Sequence, residues 1–511
     1  MDGALVRRGG PVAAVVLVAL VVRLVVLRTP LAALNGDEAV VGLMAERIGD
    51  GHLYAFFAGQ GYMGALEQYA QAAVVAVRPG DPFALRLTTA LLSSAAAGLV
   101  LVVGRLLLRS ERRAVTAAAV YAVGPAFNVL DGVTTLGAYA DALVVGLIGL
   151  WAALRPGAPT ARRSAALGLC CGAGLWLTPV AAFLLLPAGV WFVGALRGLG
   201  RRRSALLVSV AAAAAVLGSL PMWLWAAAER RVPLLGSEPP VHASLLDRFA
   251  GLVDSTLPEA AGLAWIGPSS VLPRPVLVAF SAAVLLAGAV LAWRRRTSLL
   301  QTVLLRSEGR DPRDLLLVAL VLGTLLYVAS PFTWYAASPR YLFPATPWLV
   351  WALAAALPAR RGVPAVAVAA VAAVSWATLA SAQQGRPASW TSDLRETMSW
   401  LRGQGVEGVY ADYRSAHTLD FVDRADAPPV VPFEGVPCRF PELDRAVAAA
   451  GRVAYVSSPA KREALERALT QRRVPVAARH STATLEAFVV DGTAPVPWRL
   501  GLEPRPWCAG S

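Results

Sequence analysis

Residues 84–108 read ALRLTTALLSSAAAGLVLVVGRLLL, an apolar run interrupted only by short polar residues and two arginines. An α-helix needs about 20 mostly apolar residues to cross the roughly 30 Å hydrocarbon core of a bilayer. Strands of a membrane barrel are much shorter and alternate between apolar and polar residues, which this run does not. It therefore predicts a transmembrane helix.

Similar runs recur along most of the chain. They lie at roughly 12–28, 114–130, 135–154, 165–180, 182–197, 204–228, 274–293, 314–330, 342–358 and 362–380. The composition agrees, since 56% of the 511 residues are hydrophobic, 16% are charged and the mean hydropathy is +0.55. A soluble chain of this size has fewer apolar and more charged residues. The predicted fold is a polytopic α-helical membrane protein with about 11 transmembrane helices.

The net charge of +14 comes from arginines placed between the apolar runs. A basic groove with interleaved aromatic residues is missing, so nucleic acid is not expected as a partner, whereas membrane lipid is. Arginines crowd the loops 105–113, 155–163, 197–203, 294–313 and 359–361, and the alternate loops hold many of the acids. The positive-inside rule then predicts a cytoplasmic N-terminus and, with an odd number of spans, an extracytoplasmic C-terminus. Because Lys461 is the only lysine and alanine is abundant, as in GC-rich bacterial genomes, the bacterial cytoplasmic membrane is the expected location.

Two of the predicted outer segments carry structure of their own. Residues 29–83 are expected to form amphipathic interfacial helices. From residue 385 the chain regains ordinary charge, which predicts a transmembrane domain over 1–384 and an extracytoplasmic α/β domain over 385–511. In that domain we predict helices at Asp393–Gly403 and Ala460–Arg472 and strands at Gly408–Tyr413, Val453–Ser457 and Ala483–Val490. Cys438 and Cys508 both belong to it, and the sequence leaves open whether they form a disulfide.

Asn35-Gly36-Asp37-Glu38-Ala39 follows the first span directly and places two adjacent acids at the outer membrane surface. One interpretation is a solvated loop or a helix N-cap. The other is catalysis of glycosyl transfer from a polyprenyl phosphate, where the leaving group needs no general acid and one carboxylate accepts the acceptor's proton. Asp37 is placed to be that base, and Glu38 would orient a helix or bind the acceptor. A hydrolase of glycosidic ethers would instead need two opposed carboxyl groups.

Three further charged residues are candidates for substrate contact. Glu67, in a segment with interfacial aromatics, could face the same cavity as Asp37. Arg86 is either a membrane-surface anchor or a phosphate contact. Arg340 lies on the side where cations are scarce, which suggests either a phosphate contact or a hydrogen bond to lipid headgroups.

Taken in order, the segments of the membrane region resemble the GT-C superfamily of glycosyltransferases. The similarity is greatest to the protein-mannosyltransferase and aminoarabinose-transferase-like branch, glycosyltransferase family 39 and relatives. The segments that carry the resemblance are Gly36-Asp37-Glu38-Ala39, Tyr62-Met63-Gly64-Ala65-Leu66-Glu67, Ala84-Leu85-Arg86-Leu87, Leu136-Gly137-Ala138-Tyr139, Gly174-Leu175-Trp176-Leu177-Thr178-Pro179 and Arg340-Tyr341-Leu342-Phe343-Pro344. They span about 350 residues, and each is short.

This resemblance implies a polyprenyl-phosphate sugar donor, an inverting transfer and a catalytic acid at Asp37. It adds Tyr341 to the expected substrate contacts and a second acid in the next outer loop, at Asp131 or Asp141. The branch often has Pro-Glu where this chain has Ala140-Asp141, which leaves the second acid open. Some relatives use a divalent metal and others do not, and the sequence shows no ligand set that decides it. Neither the sugar nor the acceptor, whether glycan, lipid or protein, follows from the sequence.

Two other functions compete with transfer. A lipid or solute transporter usually keeps ionisable groups near the bilayer centre, whereas here the acids lie in outer loops. A non-catalytic relative of the same superfamily would use the fold as an assembly partner. Replacement of Asp37 distinguishes these alternatives, because only a transferase depends on it.

Overall fold

The computed structural model describes residues 2–234, 243–264, 272–306, 310–330, 339–358, 360–384, 386–423, 427–433 and 438–490. Cys508 lies outside these residues, so the structure does not test whether it pairs with Cys438.

Each apolar run found in the sequence overlaps a helix of the structure. The helices of the membrane region are α1 Asp2–Val26, α2 Gly36–Gly49, α3 Leu66–Val75, α4 Pro82–Leu108, α5 Glu111–Val123, α6 Ala126–Asp131, α7 Tyr139–Leu154, α8 Ala161–Leu177, α9 Ala182–Leu196, α10 Arg201–Gly218, α11 Leu220–Glu229, α12 Leu245–Gly251, α13 Leu257–Ala260, α14 Arg274–Arg294, α15 Arg296–Val303, α16 Asp314–Ala329, α17 Thr346–Ala356 and α18 Val363–Gln383.

Fewer helices meet the length and composition of a membrane span than the sequence predicts. Among the described residues, 5 helices are long and apolar enough to cross a membrane, or up to 6 if α10 and α11, bent by 52°, form one span. Two of the predicted runs are divided between shorter helices, since α5 is followed by α6 after Gly124-Pro125 and α10 ends before α11. The count of about 11 spans is therefore not confirmed, whereas a mostly helical fold rich in apolar helices is.

Tryptophan side chains connect the helices of the largest buried cluster. Trp351 donates from Nε1 to the carbonyl of Val100, at 3.1 Å, and Trp348 donates to that of Phe183, at 2.9 Å. A buried indole N–H needs such a partner. These bonds hold α17 against α4 and α9.

The C-terminal region forms a small α/β layer. Its elements are α19 Trp390–Gly403, β1 Gly408–Ala411, α20 Tyr413–Val422, β2 Val430–Pro432, α21 Pro441–Ala448, β3 Val453–Ser457, α22 Pro459–Gln471, β4 Val476–Ser481 and β5 Glu486–Val490. The five strands lie in the order β2-β1-β3-β5-β4, with β1 parallel to β2 and β3, and β5 antiparallel to β3 and β4.

The predicted strand at Gly408–Tyr413 is wrong at its end. The strand stops at Ala411 because Asp412 caps α20, its carboxylate accepting from the backbone N–H of Ser415 at 3.2 Å and from that of Ser458 at 2.9 Å. Tyr413 is thus the first residue of a helix. Because α20 starts at the carboxyl end of a parallel strand, Tyr413 lies at the edge of the sheet that faces the membrane region.

The segment 29–83 connects the two regions. Helix α2 packs against α3 on one side and against α20 on the other, and most of its residues are buried. Gly36 allows this contact, because a Cβ atom there would lie 2.9 Å from the carbonyl oxygen of Tyr413. The beginning of α2 therefore touches the beginning of α20.

Candidate active site

Asn35 and Glu38 fix the position at which α2 begins. The Asn35 side chain accepts from the backbone N–H of Glu38, at 3.0 Å, and Glu38 accepts from the backbone N–H of Asn35, at 3.2 Å. This reciprocal capping box satisfies two amide groups that the helix would leave unpaired. It places Asp37 in the first turn, where the helix dipole favours a negative charge.

Glu38 points inward and is fully buried. Its Oε1 accepts from Nε of Arg86, at 2.7 Å, and from the backbone N–H of Thr135, at 3.1 Å, while Oε2 pairs with Nη2 of Arg86. Arg86 also donates to the carbonyls of Ala32 and Ala33. Since all polar atoms of both side chains are engaged, these contacts favour an orienting role for Glu38 and an anchoring role for Arg86.

Asp37 points the other way and remains about one third exposed, with 37% of its side chain accessible. The hydroxyl of Tyr413 donates to its Oδ1 at 2.6 Å. Nη2 of Arg439 lies 3.3 Å from the Tyr413 hydroxyl and 4.0 Å from Oδ1 of Asp37. Tyr413 of the C-terminal layer therefore binds Asp37 of the segment 29–83 directly, and Arg439 supports this contact through Tyr413.

Burial raises the pKa of Tyr413, and the charge of Asp37 raises it further. The phenol therefore stays protonated and keeps donating. Arg439 is held in turn by the carbonyl of Ala58, at 2.9 Å, and its guanidinium lies 4.8 Å from the ring centre of Phe57.

Two cavities meet at Asp37. The first, here called the apolar cavity, has a volume of about 570 Å³ and is walled mainly by aliphatic and aromatic side chains such as Phe183, Leu322, Leu325 and Leu326. The second, here called the polar cavity, has a volume of about 680 Å³. Its charged lining residues are Asp37, Glu38, Arg86, Asp131, Arg340, Arg386 and Arg414. Asp37, Leu136 and Arg340 line both cavities.

Arg340 lies at the junction of the cavities, with Tyr341 beside it. Nη2 of Arg340 donates to the Tyr341 hydroxyl at 2.9 Å, and the guanidinium carbon lies 4.9 Å from the ring centre. Burial alone would lower the pKa of Arg340, but the neighbouring Tyr139, Tyr341 and Asp37 outweigh it and raise the pKa. The Nε atom is buried and has no hydrogen-bond partner among the described residues, so it can donate to a bound anion.

The other predicted acids separate into two groups. Asp131 lines the polar cavity, and burial raises its pKa to about 7, although the charge of Arg340 opposes this shift. Glu67 and Asp141 are buried, and neither lines either cavity. Glu67 accepts from Gln71, at 3.1 Å, and from Thr89.

The structure therefore brings together Asp37, Asp131, Arg340 and Tyr341, whereas Glu67 and Asp141 lie behind the cavity walls. In the part of the chain that is described, no group of three or more His, Cys, Asp or Glu side chains is arranged to hold a metal ion.

Sequence reasoning missed the contribution of Tyr413 and Arg439. The segment around Tyr413 was assigned to a strand, although an aspartate before it is a typical helix N-cap. Arg439 carries no comparable local signal, because its neighbours in space come from residues far away in sequence.

Comparison with solved structures identifies the fold. Over 94% of this chain and 97% of the other, the structure matches ArnT from Cupriavidus metallidurans bound to undecaprenyl phosphate, with a TM-score of 0.64 at 15% sequence identity. The apo state of the same protein gives a TM-score of 0.62. The archaeal oligosaccharyltransferase AglB from Archaeoglobus fulgidus matches more loosely, with a TM-score of 0.45 at 15% identity over 90% of this chain and 71% of the other.

No protein-family model and no curated protein sequence matches the chain. The chain has the fold of ArnT, an aminoarabinose transferase of the GT-C type, so the resemblance predicted from sequence is confirmed for the fold. The fold and the apolar helices together indicate a membrane protein.

Proposed function

We propose that this chain is a membrane glycosyltransferase that moves a sugar from a polyprenyl-phosphate carrier to a hydroxyl group of an acceptor, at the outer face of the bacterial cytoplasmic membrane. The observation that carries the proposal is the position of Asp37 where the apolar and polar cavities meet. A transfer between a lipid-linked donor and a polar acceptor needs this arrangement, because the reacting atoms must meet at one carboxylate. The undecaprenyl phosphate bound by ArnT, whose fold the chain shares, is consistent with this.

The donor fits the apolar cavity. Its walls of leucine and aromatic side chains suit an isoprenoid chain, and Arg340, which lines both cavities, has a buried Nε free to donate. Guanidinium groups bind phosphate through several parallel hydrogen bonds, most strongly where water is scarce. Arg340 would hold the phosphate, and Tyr341 would orient Arg340.

The proposed reaction is a single displacement at the anomeric carbon. Asp37 accepts the proton of the acceptor hydroxyl while its oxygen forms the new bond to that carbon. The bond from the anomeric carbon to the phosphate oxygen breaks, and the electron pair leaves with the phosphate, whose charge Arg340 stabilises. Attack from the side opposite to the leaving group inverts the anomeric configuration.

Tyr413 and Arg439 are positioning residues in this proposal. The Tyr413 hydroxyl donates a hydrogen bond to Oδ1 of Asp37. This bond holds the carboxylate in one orientation and leaves Oδ2 to accept the proton of the acceptor hydroxyl. Asp131 is proposed as the second acid, since it shares the polar cavity with Asp37, whereas Asp141 does not.

The test measures transfer of radiolabelled sugar in membranes from a panel of polyprenyl-phosphate sugars, including mannosyl, glucosyl, galactosyl and arabinosyl donors. Wild type is compared with Asp37→Asn and with Asp50→Asn, a matched control at the exposed end of the same helix α2. We expect label in a product with wild type and Asp50→Asn, and none with Asp37→Asn, which also identifies the sugar. Equal transfer by wild type and Asp37→Asn, or no transfer from any donor, would favour the transporter or the non-catalytic relative.

A further inference from the structure

Two arginines of the polar cavity have no role in the proposed transfer. Arg386 follows α18 by three residues, and Arg414 is the second residue of α20, and both line the cavity on the side of the C-terminal layer. Neither forms an ion pair within the described part of the chain. Other solvent-facing arginines of this layer do have an acidic partner, such as Arg402 with Asp423 at 3.0 Å and Arg479 with Glu466 at 3.1 Å.

Arg386 and Arg414 line the same cavity, so that each guanidinium group is exposed to the positive charge of the other. Burial lowers the pKa of Arg386, and the charge of Arg414 lowers it further. Two like charges that line one cavity create a positive potential there, which attracts an anion. The arrangement therefore favours a negatively charged ligand.

Arg414 is held in place by the surrounding structure. Its guanidinium lies 4.7 Å from the ring centre of Trp390, a cation–π contact that restricts its orientation. Trp390 is itself buried and donates from Nε1 to the carbonyl of Leu34, at 3.0 Å, next to the residue that caps α2. Arg414 is thus oriented before any ligand arrives, and this lowers the entropic cost of binding.

The acids that share this cavity are already engaged elsewhere. Glu38 is neutralised by Arg86. Asp37 accepts a hydrogen bond from Tyr413. Arg340 is the positive charge that acts on Asp131. The excess positive charge is therefore concentrated at Arg386 and Arg414.

We propose that Arg386 and Arg414 form an anion-binding site that takes a phosphate or carboxylate group of the acceptor. Both arginines line the polar cavity and are missing from the lining of the apolar cavity, whereas Arg340, the proposed contact of the donor phosphate, lines both. Bound there, the acceptor would extend along the cavity with its hydroxyl towards Asp37. The assignment to the acceptor rests on the proposed transfer, whereas the anion site itself does not.

The test is protection of arginines from phenylglyoxal, read residue by residue by peptide mass spectrometry. The purified full chain is placed in nanodiscs of neutral phosphatidylcholine and treated with and without inorganic phosphate, with chloride matching the ionic strength. We expect phosphate to slow modification of Arg386 and Arg414 about tenfold, the size of effect that one or two charge-assisted hydrogen bonds produce. Arg395, an exposed residue of α19 outside the cavity, is the control and should react at the same rate in both conditions.

Two variants show whether the arginines act together. Arg414→Gln is read at Arg386, and Arg386→Gln is read at Arg414; each substitution should abolish protection of the other residue, whereas Arg395→Gln should not. Both positions are exposed, and size-exclusion chromatography in detergent checks that the variants remain folded. Protection that is absent, or equal at Arg395, would overturn the site.

A second arm separates an acceptor anion from the membrane. In nanodiscs containing phosphatidylglycerol, protection without added phosphate that phosphate cannot increase would assign the arginines to lipid headgroups and overturn the acceptor assignment. Protection that still requires phosphate supports it. Since this assay uses no sugar donor, it can succeed even where transfer fails, and the two proposals are tested separately.

Discussion

The contact between Tyr413 and Asp37 leads to the sharpest prediction, because it joins the two regions at the proposed catalytic base. Tyr413→Phe removes one hydroxyl, which donates to Oδ1 of Asp37 at 2.6 Å, and leaves the ring in place. Arg439, at 4.0 Å from the same oxygen, is too far to replace it with a normal hydrogen bond.

The expected loss of activity can be calculated because the hydrogen bond from Tyr413 ends on the charged carboxylate of Asp37. Hydrogen bonds to charged groups contribute about 1.5–3 kcal/mol. Since about 1.4 kcal/mol corresponds to a factor of ten in rate, complete loss of the Tyr413 hydrogen bond would slow transfer about 10- to 150-fold. Because the loosened carboxylate still reaches the acceptor in part of its orientations, we expect kcat to fall at the lower end of this range, about 10- to 30-fold. KM for the donor should hardly change, since Tyr413 does not line the apolar cavity.

The assay is initial-rate transfer of labelled sugar from the donor found in the panel experiment, over a range of donor concentrations. Tyr410→Phe is the matched control, because it removes a phenol hydroxyl in the neighbouring strand β1, where Tyr410 stacks on Tyr455 with ring centres 5.6 Å apart. A Tyr413→Phe enzyme that keeps the kcat of the Tyr410→Phe control would refute the positioning role. A rise in donor KM with unchanged kcat would refute it as well.

Three further predictions concern buried charge and pH. Glu38→Gln leaves the buried Arg86 without a counter-ion and should lower the free energy of unfolding by about 3–5 kcal/mol. The measurement is thermal unfolding in detergent, and a variant as stable as wild type would show that the ion pair does not hold α2. His417 is buried, and neither of its ring nitrogens has a hydrogen-bond partner in the described chain. Burial is the main cause that lowers its pKa to about 3, and the positive charges of Arg439 and Arg47 add to it. Its folded pKa lies below its unfolded value of about 6.5, so wild-type stability should fall as the pH drops from about 6.5 towards 3, and His417→Phe should remove that part of the slope in denaturant titrations. For Asp131, with a pKa raised to about 7, deprotonation above pH 7 should weaken binding of the polyprenyl-phosphate sugar at Arg340. Because this donor is a phosphodiester that does not itself titrate between pH 6 and 8, Asp131→Asn should remove this fall in affinity, and an unchanged pH profile would contradict the prediction.

Local signals in the sequence predict much of the fold and part of the site. The apolar runs mark the helices, because span-length hydrophobic stretches are read directly from composition. Asn35 and Glu38 form a capping box that their spacing already suggests, and the cap places Asp37 at the start of α2. The length of the helices could not be predicted as well, since α5 and α10 end within apolar runs that continue into the next helix.

Contacts between distant residues account for what the sequence does not reveal. Glu38 and Arg86 were candidates for substrate binding because both lie near the outer surface, and only the structure shows that each engages the other. Glu67 and Asp141 were equally plausible by position, but packing turns both away from the cavities. Tyr413 reaches Asp37 across 376 positions of sequence, a distance that no periodicity or motif spacing bridges.

The close approach of Gly36 to Tyr413 also sets an order of events during synthesis. Chains emerge with the N-terminal residues first, and domains generally fold as units. Asp37 is made near the start of the chain, whereas its hydrogen-bond donor arrives only after the last membrane helix has been completed. A nascent chain therefore carries Asp37 before it carries Tyr413, and the hydrogen bond between them forms only when the C-terminal layer has folded onto α2.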